Sequence, residues 1–140
     1  MLPPHHRLRL TRDHERVTRL GVRGGTARVV VHLLADTADS VTPSRVGIVV
    51  SRAVGTAVNR NAVRRRLRHL MRARLYRVPP GSLVVIRAQP GAAAVPTTVL
   101  AEDLDRALGR ALGRALGADR RESTTSARPG SGRGAMGDAR

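Results

Sequence analysis

The chain has no cysteine, no lysine, no phenylalanine and no tryptophan, and Tyr76 is its single aromatic residue. Without cysteine it can form neither a disulfide nor a thiolate metal site. Without large aromatics its core has to be small and aliphatic, and nucleobases have no Phe or Trp on which to stack. Acids are scarce as well: 10 Asp and Glu stand against 26 arginines in 140 residues, a formal net charge of +16. No apolar run approaches the roughly 18 residues of a membrane span. The start, Met1-Leu2-Pro3-Pro4-His5-His6-Arg7, has no signal-peptide apolar segment, so a cytoplasmic protein is expected.

What is present is concentrated in one stretch. From Ser51 the chain leaves a β-branched run, passes Gly55 and enters Ala57-Val58-Asn59-Arg60-Asn61-Ala62-Val63-Arg64-Arg65-Arg66-Leu67-Arg68-His69-Leu70. Eight arginines lie between Arg60 and Arg77 with no acid among them. At about 100° per residue, Val63, Leu67, Leu70, Met71 and Leu75 fall on one apolar stripe. Asn61, Arg65, Arg68 and Arg72 fall opposite, with Arg60 and Arg64 on the flank. Arg74 falls inside the stripe, so its stem snorkels or the helix leaves the core there. A solvated charged face normally mixes signs, because like charges one turn apart repel by a few tenths of a kcal/mol, roughly, per pair. A polyanion would relieve that repulsion, and nucleic acid is the expected partner.

The rest of the chain reads in order. Residues 1–10 are basic and irregular, and Arg7, Arg9 and Arg12 are placed to touch RNA. Thr11 caps a helix over residues 12–20, with Asp13 and Glu15 at its positive end and Gly21 at its stop. Gly24-Gly25 reads as a turn. Residues 27–34 and 45–51 are β-branched strands, expected to pair as a hairpin across the polar connector from Asp36 to Ser44. The arginine helix runs from near Thr56 to about Arg77, where Pro79-Pro80-Gly81 stops it. Residues 83–88 form a buried strand, and strand–helix–strand implies a crossover within one sheet. A last helix begins at Thr97 or Thr98 and carries Arg-Ala-Leu-Gly three times, from Arg106 to Gly117. Residues 118–140 lack periodicity and read as a disordered basic tail, leaving 1–117 as the domain. The order of elements gives an α+β sandwich with helices over one sheet.

Catalytic chemistry of the chain's own is not legible. Asp13, Glu15, Asp36, Asp39 and the acids from Glu102 to Asp105 are scattered and suit helix ends or loops better than a metal-dependent nuclease. His14 and His32 could face each other for acid–base work, but no nucleophile or third group accompanies them. There is no P-loop, dinucleotide fingerprint or H-E-x-x-H.

Taken together, Val46 to Leu70 resembles the signature of the bacterial ribonuclease P protein component. That family has a strand of the form R-V-G-x-x-V-S, a basic residue, then G-x-A-V-x-R-N-R and further basic residues on a helix. The matching residues here are Arg45-Val46-Gly47, Ser51-Arg52, Gly55, Ala57-Val58, Arg60-Asn61 and Arg64 to Arg68. Arg7-Leu8-Arg9, the helix ending at Gly21 and the strand Leu83 to Ala88 are similar to the family's flanking elements, so the resemblance covers about residues 7–117. It implies an αβββαβα sandwich with a central, mostly antiparallel sheet and a left-handed βαβ crossover, and it places a third strand around Val22 to Gly24.

The resemblance also implies a division of labour. The RNA subunit performs hydrolysis with Mg²⁺, and no protein side chain is catalytic or holds the metal. The protein binds ribonuclease P RNA and the 5′ leader of precursor tRNA, with no membrane and no obligate protein partner. Carried over by position, Arg52, Arg60, Asn61, Arg64, Arg65, Arg68 and Arg72 contact RNA. His14, Thr18, Val29, Val31 and His32 line the leader cleft between the first helix and the sheet. Two departures stand out. Ala62 replaces the last arginine of R-N-R, a gap that Arg64 to Arg66 are expected to fill. His14, Thr18 and His32 stand where the family often has aromatics, so the grip on the leader is expected to be weaker or more electrostatic. The alternative is a basic structural RNA binder, ribosome-associated and without a role in cleavage. A membrane-active cationic helix is disfavoured because the core needs the apolar stripe.

Overall fold

The computed structural model describes residues 4–8, 11–35 and 43–127. Helix α1 spans Thr11–Leu20, strand β1 Val22–Gly25, β2 Val29–Leu34 and β3 Arg45–Val50. Helix α2 spans Ala57–Arg72, strand β4 Leu83–Ala88 and helix α3 Thr97–Ala127. Short 3₁₀ turns at Pro4–His6, Arg52–Val54, Leu75–Arg77 and Ala92–Ala94 join them. This is the expected αβββαβα order, with the third strand at Val22–Gly25. Arg9, most of the connector from Asp36 and residues 128–140 lie outside the described residues.

The four strands form one sheet in the order β1-β2-β4-β3. β1 with β2 and β2 with β4 are antiparallel, whereas β3 and β4 are parallel. The expected hairpin between β2 and β3 is therefore corrected: β4 lies between them. The parallel β3–β4 pair needs a crossover, and α2 is that crossover. Gly24 and Gly25 are not a turn but part of β1, and the reversal falls at Thr26, whose amide donates to the Val29 carbonyl at 2.8 Å.

Strand alternation sorts the sheet into two faces. Val29, Val31, Leu33, Val46, Val50, Val84, Ile86 and Ala88 point into the main core. There they meet Val63, Leu67 and Met71 of α2 and Leu100, Leu104, Ala107, Leu108 and Ala111 of α3. The second face is smaller: Val85 is buried against Val17 of α1 and Leu8. Full burial of one Val or Leu is worth about 1.5–3 kcal/mol. The main core, made without one aromatic, therefore carries the fold.

The Arg-Ala-Leu-Gly repeat assigns each of its residues a separate task. Leu108 enters the core beside Leu104 of the preceding turn, while Leu116 at the end of the repeat is exposed. Ala107 and Ala111 lie so close to β1 that only glycine fits opposite: a Cβ on Gly24 would stand 2.4 Å from the Ala111 amide nitrogen. Arg110 and Arg114 reach over the open edge of β1 and donate to the carbonyls of Gly25 and Arg23. Gly113 and Gly117 face open space. The other sheet edge is covered by the N-terminal segment, where Arg7 bridges Val46 and the Leu8 amide donates to the Val46 carbonyl at 2.9 Å. Arg7 and Leu8 are thus ordered by β3 rather than irregular. α3 also continues past the expected boundary at residue 117 to Ala127. No proline interrupts 118–127, and Ala118, Arg120, Arg121 and Glu122 are good helix formers.

Candidate nucleic-acid interface

The start of α2 is set by Gly55 of the signature and by Thr56 next to it. Gly55 has φ 152 and ψ −156, a region essentially confined to glycine. Thr56 then caps the helix, its Oγ1 accepting from the Asn59 amide at 3.2 Å. The Gly55 carbonyl also accepts from Arg60 Nε at 3.3 Å, so the turn orients the first arginine of the face. Val63, Leu67 and Met71 are fully buried and fix the rotation of the helix. Asn61, Arg65 and Arg72 are exposed, and Arg60, Arg64 and Arg68 are half-exposed. Arg52 is exposed on the preceding 3₁₀ turn.

Carboxylates elsewhere are spent on other arginines. Asp103, 1% exposed, binds Arg28 at 2.8 Å and Arg106 at 2.7 Å. Asp105 binds Arg74 at 2.6 Å and Arg77 at 3.2 Å. Arg74 thereby leaves the apolar stripe: α2 ends at Arg72, and the guanidinium turns to Asp105 and the Leu70 carbonyl. Among the described residues no carboxylate pairs with Arg52, Arg60, Arg64, Arg65, Arg68 or Arg72. Arg64 instead donates to Asn61 Oδ1 at 2.8 Å, so Asn61 steers a cation rather than neutralising it. Burial first, then Arg64 and Arg7, lower the Arg68 pKa from its ordinary value. Arg7 of the N-terminal segment thus adds its charge to the field around Arg68. Arg66 does not share that surface. It donates to the Val95 carbonyl at 3.3 Å and ties the loop before α3 to the helix. Of the three arginines expected to compensate for Ala62, only Arg64 and Arg65 therefore remain available.

The second surface is the α1 side of the sheet. His14 lies directly over Gly47, where a Cβ would come within 2.4 Å of its ring, and its Nε2 donates to the Leu8 carbonyl at 3.0 Å. The glycine of R-V-G is thus the seat of the α1 imidazole. Thr18 is exposed one turn later, and its hydroxyl donates to the His14 carbonyl. His32 is buried on the same side, opposite Arg23 in the β1–β2 register. Burial, then Arg23, then Arg87 lower its pKa below the usual imidazole value, and Nδ1 has no partner among the described residues. Val29 and Val31 do not belong here. Both are 0% exposed and point into the main core, because alternate strand residues face opposite ways. Val30, 4% exposed and paired with Arg87, is the strand residue on the same side as His32. The alternation Val30–His32 was the available signal for that correction; Arg23 and Arg87 needed the register.

The arrangement is built to bind anions. Among the described residues no three His, Asp or Glu side chains converge to hold a metal ion. No helix of the described residues is long and apolar enough to cross a membrane.

Comparison with known proteins agrees with this geometry. The family model described as Ribonuclease P matches residues 2–112. A ribonuclease P protein component of Streptomyces avermitilis is 52% identical over 114 residues, covering 77% of this chain and 93% of the relative. One from Nocardioides is 47% identical over 108 residues, covering 77% and 92%. Among solved structures, the RNase P protein of Staphylococcus aureus superposes with a TM-score of 0.66 at 22% identity, covering 74% of this chain and 93% of that one, which speaks to the fold alone. The Thermotoga maritima protein, solved in complex with 1-(4-fluorophenyl)-2-thiourea, gives 0.61 at 29% identity, covering 70% and 92%. With the family model spanning residues 2–112 and relatives about half identical over nearly their whole length, the chain belongs to the ribonuclease P protein component family.

Proposed function

We propose that this chain, as the protein subunit of ribonuclease P, binds the catalytic RNA through the exposed face of α2. It holds the 5′ leader of precursor tRNA on the α1 side of the sheet. The observation that carries this reading is the run Arg52, Arg60, Arg64, Arg65, Arg68 and Arg72, which has no carboxylate partner among the described residues. In the assembled cytoplasmic enzyme, hydrolysis of the phosphodiester belongs to the RNA subunit and its Mg²⁺. The protein's part is positional: it neutralises phosphates and fixes the two RNAs relative to each other. His14, Thr18 and His32 meet the leader by polar contact and charge from Arg23 and Arg87, in place of aromatic stacking. A generic ribosome-associated role is not favoured, because the family match spans nearly the whole domain.

The test is equilibrium binding of the ribonuclease P RNA against salt. Neutralising six phosphates gives a log–log slope of about −4 to −5, from −0.7 to −0.9 per contact. Changing Arg60, Arg64, Arg65 and Arg68 to Ala should flatten it by about 3. A slope unchanged by those substitutions would move the interface off α2.

A further inference from the structure

Tyr76 is the chain's one aromatic residue, and it is 85% exposed. It sits on the 3₁₀ turn Leu75–Arg77, just after the last exposed arginine of α2, Arg72. Beside it is an open cavity of about 410 Å³ lined by Ala73, Arg74, Tyr76, Arg77 and Asp105. Two guanidinium groups and one carboxylate leave this cavity with a net charge of +1. Its floor is preset: Arg74 Nε and Nη2 bind the two Asp105 oxygens at 2.6 and 3.2 Å, Arg77 joins at 3.2 Å, and Arg74 Nη1 also holds the Leu70 carbonyl. Neither packing nor hydrogen bonding explains the ring, since the core is complete without aromatics and the side chain lies almost wholly in solvent.

Resting on the proposed binding of the RNA subunit by α2, we infer that Tyr76 and this cavity receive one unpaired nucleotide of that RNA. The base stacks on the phenol ring, and its polar edge meets the Arg74–Asp105–Arg77 cluster. An aromatic face with adjacent fixed cations is the chemistry that holds a splayed-out base, and the stacking is indifferent to base identity. A carboxylate among the arginines adds an acceptor for an exocyclic amino group. The volume, near the lower end of the roughly 300–1,000 Å³ of small-ligand pockets, fits a single nucleotide better than a duplex. The leader is not the source. α2 and α3 cover the face of the sheet opposite α1, so a strand lying on the α1 side does not reach Tyr76.

The experiment measures equilibrium affinity of the full chain for full-length ribonuclease P RNA, together with chemical probing of unpaired bases in the complex. Tyr76→Ala should weaken binding about 5- to 150-fold, the range for one lost stack. It should also expose one base that the unaltered chain protects, while Tyr76→Phe keeps the affinity and the protection. Thermal melting should show both variants folded, as expected for so exposed a side chain. Affinity within twofold in Tyr76→Ala, with an unchanged probing pattern, overturns the inference. An Arg65→Ala, Arg68→Ala double variant, measured in parallel, separates this from failure of the α2 reading. If that variant binds normally, the α2 interface itself is wrong; if it binds poorly while Tyr76→Ala does not, only the nucleotide site is lost.

Discussion

Replacing Gly24 by alanine tests whether α3 is docked on β1 as tightly as described. The added Cβ would lie 2.4 Å from the Ala111 amide nitrogen, 2.6 Å from the Ala107 carbonyl oxygen and 2.8 Å from Arg110 Cβ. Two of these atoms belong to helix backbone, which cannot swing aside as a side-chain tip can. Overpacking of this kind costs about 1–3 kcal/mol, less the roughly 0.5–1 kcal/mol by which alanine is preferred to glycine in a strand. A net loss of about 1 kcal/mol, with a urea slope of about 1–2 kcal/mol/M, lowers the midpoint by about 0.5–1 M. Far-UV circular dichroism is the suitable probe, since the chain has no tryptophan. The neighbouring Gly25→Ala is the control: its Cβ comes nearest to a side-chain tip, Val30 Cγ2 at 3.2 Å, and no backbone atom is closer than 3.5 Å. A Gly24→Ala midpoint equal to that of the unaltered chain, or to that of Gly25→Ala, would refute the docking argument.

Three further outcomes follow from the same geometry. Gly113→Ala should stabilise the chain by about 1 kcal/mol in the same denaturation assay, because its Cβ meets nothing within 4 Å and helix interiors prefer alanine. Asp103 is buried with two arginine partners, so Arg28→Ala or Arg106→Ala alone should cost little. Removing both strands the carboxylate and should cost about 3–5 kcal/mol, with strong non-additivity in the double-mutant cycle. Finally, the lowered pKa of His32 means that the unfolded chain binds the extra proton first as pH falls through 6.5. Stability should therefore rise with pH between the folded pKa and 6.5, and His32→Gln should remove that part of the slope.

What could be read without coordinates depended on the range of the interaction. The α2 stripe of Val63, Leu67 and Met71 follows from a 3.6-residue period, and the Gly21 boundary from capping chemistry; both are local. The pairing of β2 with β4 is not local. Nearness along the chain suggested β3, but the crossover through α2 leaves the parallel partner of β3 in the middle of the sheet. Gly24 looked like a turn residue because glycine does both jobs, and only the approach of Ala107 and Ala111, more than 80 residues away, shows which. Placing Val29 and Val31 with His32 ignored the two-residue period of a strand. Arg66 was indistinguishable from Arg64 and Arg65 until Val95 appeared beside it. Helix continuation to Ala127 was hidden by glycines at 113 and 117, whose helix cost is about 1 kcal/mol each and too small to stop a helix already docked.

The most direct test of the account is reconstitution of precursor-tRNA cleavage at low Mg²⁺ with the cognate ribonuclease P RNA. Leader release is followed with no protein, with the unaltered chain, and with Arg60, Arg64, Arg65 and Arg68 changed to Ala. Strong stimulation by the unaltered chain, lost in the variant, is the expected result. Undiminished stimulation by the variant would contradict the assignment of α2. No stimulation at all, in a reaction that a known family member activates, would contradict the role itself.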